Sequence, residues 1–307
     1  LDGIVDWHKT RNGVEGMTHE DIGYANSVLG GVVSAMNILC SKGDNVLVHS
    51  PTYVGFTGAL GNNGYNLVHS PLVIDEEGIW RMDFEDMERK IVENNIHTAI
   101  FCSPHNPCGR VWERWELEKA MELFEKYEVF VISDEIWSDL TLGDHNHIPT
   151  QTVSEYAKMH TVAMYAPSKT FNLAGLQASN LFIPNQEIRR KIRGAVKRTG
   201  YGGLNQMGIA ACQAAYEGGS QWLSELKDYL KGNLDFLREF TAEKLPGIKL
   251  IEPQGTYLVW MDLRELGMSP EQQDEFVVNT AGLWLDTGTM FGEEGSGFER
   301  INIACPR

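Results

Sequence analysis

The sequence predicts an α/β fold on a mostly parallel sheet, and three observations carry that expectation. From Asn26 onward, strand-like and helix-like segments alternate. Val129-Phe130-Val131-Ile132 is apolar throughout, as a strand covered on both faces must be. The apolar strands run straight into polar turns rich in Pro and Gly, and the carboxyl ends of such strands are where open α/β sheets hold ligands. The 307 residues, 42% of them hydrophobic, suffice for a large core in one big domain or two.

The first landmark is Val28 to Leu39, an apolar pattern of helical period opened by Gly30 and Gly31. A helix N-terminus offers free N–H groups and the positive end of a dipole, which suits a phosphate. A Gly pair before a core helix is common enough to be a plain turn. Asp44 to His49 reads as a short strand ending in Ser50-Pro51-Thr52-Tyr53, where Tyr53 is either a stacking platform or core. Asn66 to Leu72 follows, then a helix-like Phe84 to Asn94.

Residues 97–102 form the next strand and lead into Ser103-Pro104-His105-Asn106-Pro107-Cys108-Gly109-Arg110. Two prolines and a glycine force a fixed, irregular backbone that holds Asn106 rigidly. Glu113 to Tyr127 reads as an amphipathic helix. The strand from Val129 then reaches Ser133-Asp134-Glu135-Ile136-Trp137-Ser138-Asp139. A carboxylate directly after a buried strand is costly unless paired, so Asp134 is either a partner for a cationic group or a helix cap. The loop Gly143-Asp144-His145-Asn146-His147 carries two histidines without a second ligand cluster, and reads as a solvated polar loop with no metal.

Thr161 to Tyr165 is a short buried strand, stopped by Pro167 and followed by Ser168-Lys169. Asn172, Ala174 and Gly175 then let the backbone pass close to a ligand. A lysine is ordinarily a solvated surface charge. Flanked by Pro, Ser and Gly at a strand end, Lys169 is a candidate for a desolvated, nucleophilic amine. Beyond it lie a basic helix (187–197), a glycine-rich loop (201–205), a small apolar helix (207–216) and one long helix (221–241). Short strands and helices alternate from Ile248 to the end, including Gly255 to Trp260 and Phe298 to Ala304.

The net charge of −16, not gathered in a tail, argues against nucleic acid and anionic membrane surfaces as partners. No apolar run is long enough to span a bilayer. Five scattered cysteines without a CxxC pair suggest neither a zinc knuckle nor a disulfide framework, and an acidic cytoplasmic protein is the expectation.

Four stretches together carry a resemblance. SKTFNLAGL around Lys169, SPHNPCGRVW around Asn106, DEIWSD after the Val129 strand, and FERINIA near the end resemble the fold-type I pyridoxal-phosphate (PLP) enzymes. They look most like the aminotransferase-like C–S lyases of the cystathionine β-lyase subgroup. The resemblance runs from Trp7 to Arg307. It implies an aspartate-aminotransferase-like fold, with a large PLP-binding domain over residues 12–218 and a smaller α+β domain over 219–307 joined by 1–11. The family's chains run longer at both ends, so the smaller domain is expected to be incomplete there. The upstream Gly-Tyr segment, whose tyrosine reaches the neighbouring subunit's phosphate, has no counterpart here.

The roles follow from the resemblance. Lys169 is the Schiff-base lysine and, once freed, the general base at Cα. Asp134 keeps the pyridine nitrogen protonated, Asn106 holds the ring oxygen, and Tyr53 stacks on the ring. Gly31, Val32 and Val33 offer N–H groups to the phosphate, and Ser168 its hydroxyl. Ile136 and Trp137 line the site. Arg300 clamps the substrate α-carboxylate, with Arg307 as its rival. Three positions depart from the transaminase pattern: Trp137 replaces a tyrosine, Ala166 a serine and Gln177 a phosphate-binding arginine. The phosphate site then has less positive charge than usual, more must come from backbone N–H groups or a partner subunit, and a homodimer with sites at the interface is expected. The implied reaction is β-elimination on a cysteine S-conjugate such as cystathionine. A transaminase is the alternative, and a PLP-bound regulatory protein the second alternative.

Overall fold

The computed structural model describes every residue, Leu1–Arg307. Eight strands make the main sheet: β1 (Ile22–Asn26), β2 (Asn45–Ser50), β3 (Asn66–Ile74), β4 (Trp80–Met82), β5 (Thr98–Cys102), β6 (Phe130–Asp134), β7 (Thr161–Tyr165) and β8 (Ala178–Phe182). Their order is β1-β8-β7-β6-β5-β2-β3-β4. β7, β6, β5, β2 and β3 run parallel. β8, β1 and β4 are antiparallel to their neighbours. The sheet is thus mostly parallel, as its apolar strands predict.

Alternation along the strands splits the core between two faces. Leu47, Ala99 and Val131 enter one cluster with Phe124, Trp260 and Phe298. Val48, Ile100 and Ile132 enter the other with Val32, Met36 and Met164. β1 and β8 escape a reading based on apolar runs because polar residues occupy them. Ser179 Oγ donates to the carbonyls of Ala25 and Ser27, both at 2.9 Å. Asn180 is buried beside the Tyr216 hydroxyl at 3.4 Å. These residues satisfy backbone and side-chain groups inside the sheet.

A second, antiparallel sheet holds β9 (Lys249–Ile251), β10 (Leu258–Asp262), β11 (Asp286–Thr287) and β12 (Phe298–Asn302), in the order β11-β12-β10-β9. Near Gly218-Gly219 the helix Gln206–Gly218 gives way to the long helix Ser220–Lys244. The first helix, Asp2–Asn12, grouped with the smaller unit on the sequence, packs on elements of the larger one. Trp7 lies 5.2 Å from the Tyr216 ring and 5.7 Å from that of Phe171. Its Nε1 donates to Asp139 at 2.9 Å.

The second sheet is fastened over the main one by the turn that carries Asn106. The N–H groups of Gln254 and Gly255 both donate to the Gly109 carbonyl, at 2.9 and 3.0 Å. Gly109 has φ of +65°, and a Cβ there would lie 3.1–3.2 Å from Pro253 and the Gly255 carbonyl, so only glycine fits. Buried Arg110 donates to Glu116 at 2.5 Å, Glu113 at 3.1 Å and the Trp80 carbonyl at 3.0 Å. This network fixes the turn from the other side. No helix is long and apolar enough to cross a membrane.

Candidate active site

β7, β6, β5 and β2 are consecutive parallel neighbours, so their carboxyl ends meet at one edge. Lys169, Asp134, Asn106 and Tyr53 follow those four ends and line one cavity of about 420 Å³. Ile136, Trp137, Ser168 and Arg300 complete most of the set expected from the sequence.

Asp134 is 4% exposed, and its Oδ1 accepts a single bond, from the Ile136 N–H at 3.1 Å. Burial pushes its pKa up to about 7, against the pull of that N–H and of Lys169. Burial lowers the pKa of Lys169, with Asp134 opposing and Arg300 adding to the effect. The Lys169 ammonium sits 5.3 Å from the centre of the Trp137 ring, which itself meets Tyr257 edge-on. Asn106 is 5% exposed and uses its Oδ1 on Arg300 Nη1 at 2.6 Å, leaving its Nδ2 donors for the cavity. Tyr53 borders the cavity with its ring edge-on to Phe56. Burial, with Asp134 nearby, raises its hydroxyl pKa.

Gly31, Val32 and Val33 are not where the sequence reading put them. The helix spans Ser27–Leu39, so these residues sit in its second turn, where N–H groups are spent on intrahelical carbonyls. Gly31 serves packing instead: a Cβ there would lie 2.9 Å from Met164 Sδ. The cavity is lined by Ser27, Val28 and Leu29. Ser27 has φ of +68° and gives its N–H to the Gln177 carbonyl at 3.2 Å. Val28 and Leu29 are first-turn residues whose N–H groups have no intrahelical acceptor. The glycine pair misled because the left-handed Ser27 opens the helix three residues earlier.

Arg300 lies on β12 inside the cavity. Arg307 lies away from it, with its guanidinium 5.8 Å from the Tyr229 ring, which removes it as the rival. Asp286, unmarked on the sequence, lines the cavity and binds Arg300 Nη2 at 2.5 Å. No motif marks Asp286 on the sequence, and the strand pairing of Asp286 with Arg300 reveals the contact. His147 is also placed differently from the solvated loop expected: it is buried, with Nε2 at 2.6 Å from Glu135.

The donor set fits a planar, phosphorylated pyridine. A buried carboxylate short of partners suits a ring N–H⁺. An amide and an amine flank it, and free N–H groups of a helix start lie at the far end.

The family model described as Aminotransferase class I and II matches residues 2–307. The Bacillus subtilis protein named Cystathionine beta-lyase PatB is 36% identical over 99% of this chain and 78% of its own length. The crystal structure of cystalysin from Treponema denticola, which contains a pyridoxal 5'-phosphate cofactor, superposes with a TM-score of 0.94 at 32% identity, covering 99% of this chain and 77% of that one. A PLP-bound C–S lyase from Staphylococcus hominis gives 0.90 at 31% identity, covering 99% and 77%.

Proposed function

This chain belongs to the aminotransferase class I and II family, and we propose that it is a PLP-dependent C–S β-lyase acting on cystathionine or related cysteine S-conjugates. The likeness to cystathionine β-lyase and C–S lyases over 99% of the chain supports the reaction. The single observation that carries the site is the meeting of Lys169, Asp134, Asn106 and Tyr53 in one cavity.

Lys169 would hold the cofactor covalently, with Asp134 at its ring nitrogen, Asn106 at its ring oxygen and Tyr53 on its face. Val28 and Leu29 would give N–H groups, and Ser168 a hydroxyl, to its phosphate. When bound, PLP supplies a protonated ring that draws electrons from the substrate's Cα. Arg300 orients the substrate through its α-carboxylate. Lys169, released when the substrate's amino group takes its place, and favoured by burial as the neutral amine, takes the Cα proton at Nζ. The β carbon–sulfur bond breaks with its electron pair on sulfur, and the thiolate takes up a proton. Thioether amino acid plus water thus gives thiol, pyruvate and ammonia.

A homodimer is part of the proposal. The phosphate end, formed by Ser27, Val28, Leu29, Ser168 and Gln177, has no cation of its own, which a second copy would supply. Met207, 71% exposed, stands at the start of a helix whose cap, Asn205, donates to the Leu176 carbonyl beside Gln177. Five free thiols fit a reducing, cytoplasmic setting.

The purified enzyme with cystathionine and no keto acid should release pyruvate steadily, and should turn over alanine or aspartate with 2-oxoglutarate poorly. Arrest after one turnover, relieved only by a keto acid, would overturn the lyase reading in favour of a transaminase.

A further inference from the structure

Arg300 is held on two sides before any substrate arrives. Asp286 is its direct partner across β11 and β12. One carboxylate oxygen, Oδ2, accepts from Nε at 3.1 Å and Nη2 at 2.5 Å. Asn106 Oδ1 accepts from Nη1 at 2.6 Å, and the Phe291 ring lies 4.6 Å from the guanidinium. A guanidinium has five N–H groups. Three are engaged in these bonds, which leaves one N–H on each terminal nitrogen free for a carboxylate. An α-carboxylate can therefore bind while Asp286 stays.

Two carboxylates then share one guanidinium, so the charge around the bound substrate turns negative. The charged residues lining the cavity are Asp134, Lys169, Asp286 and Arg300. Lys169 and Asp134 are taken by the chemistry, and this chain's own lining offers no second cation to receive an acid on the substrate's tail. Asp286 is 42% exposed at its side chain, and its Oδ1 has no hydrogen-bond partner. An acidic tail meets repulsion there, and a cationic tail meets an acceptor.

We propose that Asp286 is a specificity-determining residue: it steadies Arg300 for the α-carboxylate and makes the site prefer cysteine thioethers whose leaving group carries an ammonium over those carrying a carboxylate. The proposal rests on the lyase reading for its substrate class. It accounts for Asp286 as part of the site rather than as a neutralising surface pair.

The test compares S-(2-aminoethyl)-L-cysteine, S-ethyl-L-cysteine and S-carboxymethyl-L-cysteine with the PLP-loaded wild type, Asp286→Asn and Asp286→Glu. Pyruvate release gives kcat/KM, and quenching of tryptophan fluorescence gives Kd. In the wild type, kcat/KM for the aminoethyl compound should exceed that for the carboxymethyl compound by at least ~10-fold, a ratio that shrinks as salt screens the charges. Asp286→Asn should collapse the ratio about 10-fold, and Asp286→Glu should keep its order. A ratio unchanged within about twofold in Asp286→Asn overturns the proposal. If the wild type releases no pyruvate from any of the three, the lyase reading falls. Asp286 is then judged on Kd alone: the same order and collapse sustain the selectivity, and equal affinities refute it.

Discussion

Asp134 and Glu135 are chain neighbours at the end of β6, both carboxylates and both buried, yet they live in opposite surroundings. Glu135 is fully enclosed and fully engaged. Its Oε1 accepts from Ser133 Oγ at 2.9 Å and the Thr150 N–H at 3.1 Å. Its Oε2 accepts from the Tyr165 hydroxyl at 2.7 Å and meets His147 Nε2 at 2.6 Å. Burial alone would raise its pKa, but these partners bring it below the ordinary glutamate value. Asp134 has one N–H, opens on the cavity, and is pushed up to about 7. The difference separates a carboxylate that the fold uses for itself from one that it leaves short of partners for a ligand.

The largest effect is expected at Glu135. Glu135→Ala strands the Tyr165 hydroxyl, the His147 ring and the Thr150 N–H in the core. It should cost roughly 3–5 kcal/mol of stability, read from the denaturant midpoint. A loss below about 1 kcal/mol would break the comparison, because Glu135 would then be no better paired than Asp134.

Asp134→Asn should do the reverse. The loaded enzyme should lose at least ~10²-fold in turnover while still binding PLP. Without cofactor, the variant should be the more stable protein at high pH. The folded pKa of Asp134 lies above its unfolded value, so the wild type loses stability as pH rises from about 4 to about 7 and stays lower beyond. Removing the carboxylate should recover on the order of 4 kcal/mol at pH 8 and almost nothing at pH 4. Glu135 has the opposite sign: its contribution is present above the ordinary glutamate pKa and fades only as acid reaches its depressed one. Thermal unfolding of ligand-free wild type and Asp134→Asn across pH 4 to 8 checks the Asp134 half, and Glu135→Ala followed into acid below pH 4 checks the other.

Only part of this contrast was legible in the sequence. Lys169, Asn106 and Asp134 could be found because each follows an apolar strand through Pro, Gly or an abrupt carboxylate, and local chemistry marks such strand ends. The partners of Glu135 could not. His147 sits in a run of polar residues that reads as solvated, and only the fold carries it into the core, 2.6 Å from Glu135. Asp286 and Arg300 are also joined by strand pairing and not by any motif. The glycine pair draws the expected helix start to residues 30–31, although Ser27, whose Oγ accepts from the Gly30 N–H at 3.3 Å, opens the helix three residues earlier and places the first-turn residues Val28 and Leu29 at the cavity. Local residues announce which groups do chemistry, and long-range pairing decides what steadies them.

The smallest expected effect is at Ser133→Ala. It removes one of four partners from Glu135 and should cost roughly 1 kcal/mol, with turnover unchanged. A fall in turnover without a fall in stability would mean that the Glu135 side of the strand end serves the site as well.

The most direct measurement maps where the cofactor attaches. The PLP-loaded protein is reduced with borohydride, digested, and its labelled peptide sequenced. The label should fall on Lys169 in the wild type and in Asp134→Asn, and should vanish in Lys169→Ala. A label on any other lysine, or none with PLP bound, would contradict a site assembled at these four strand ends.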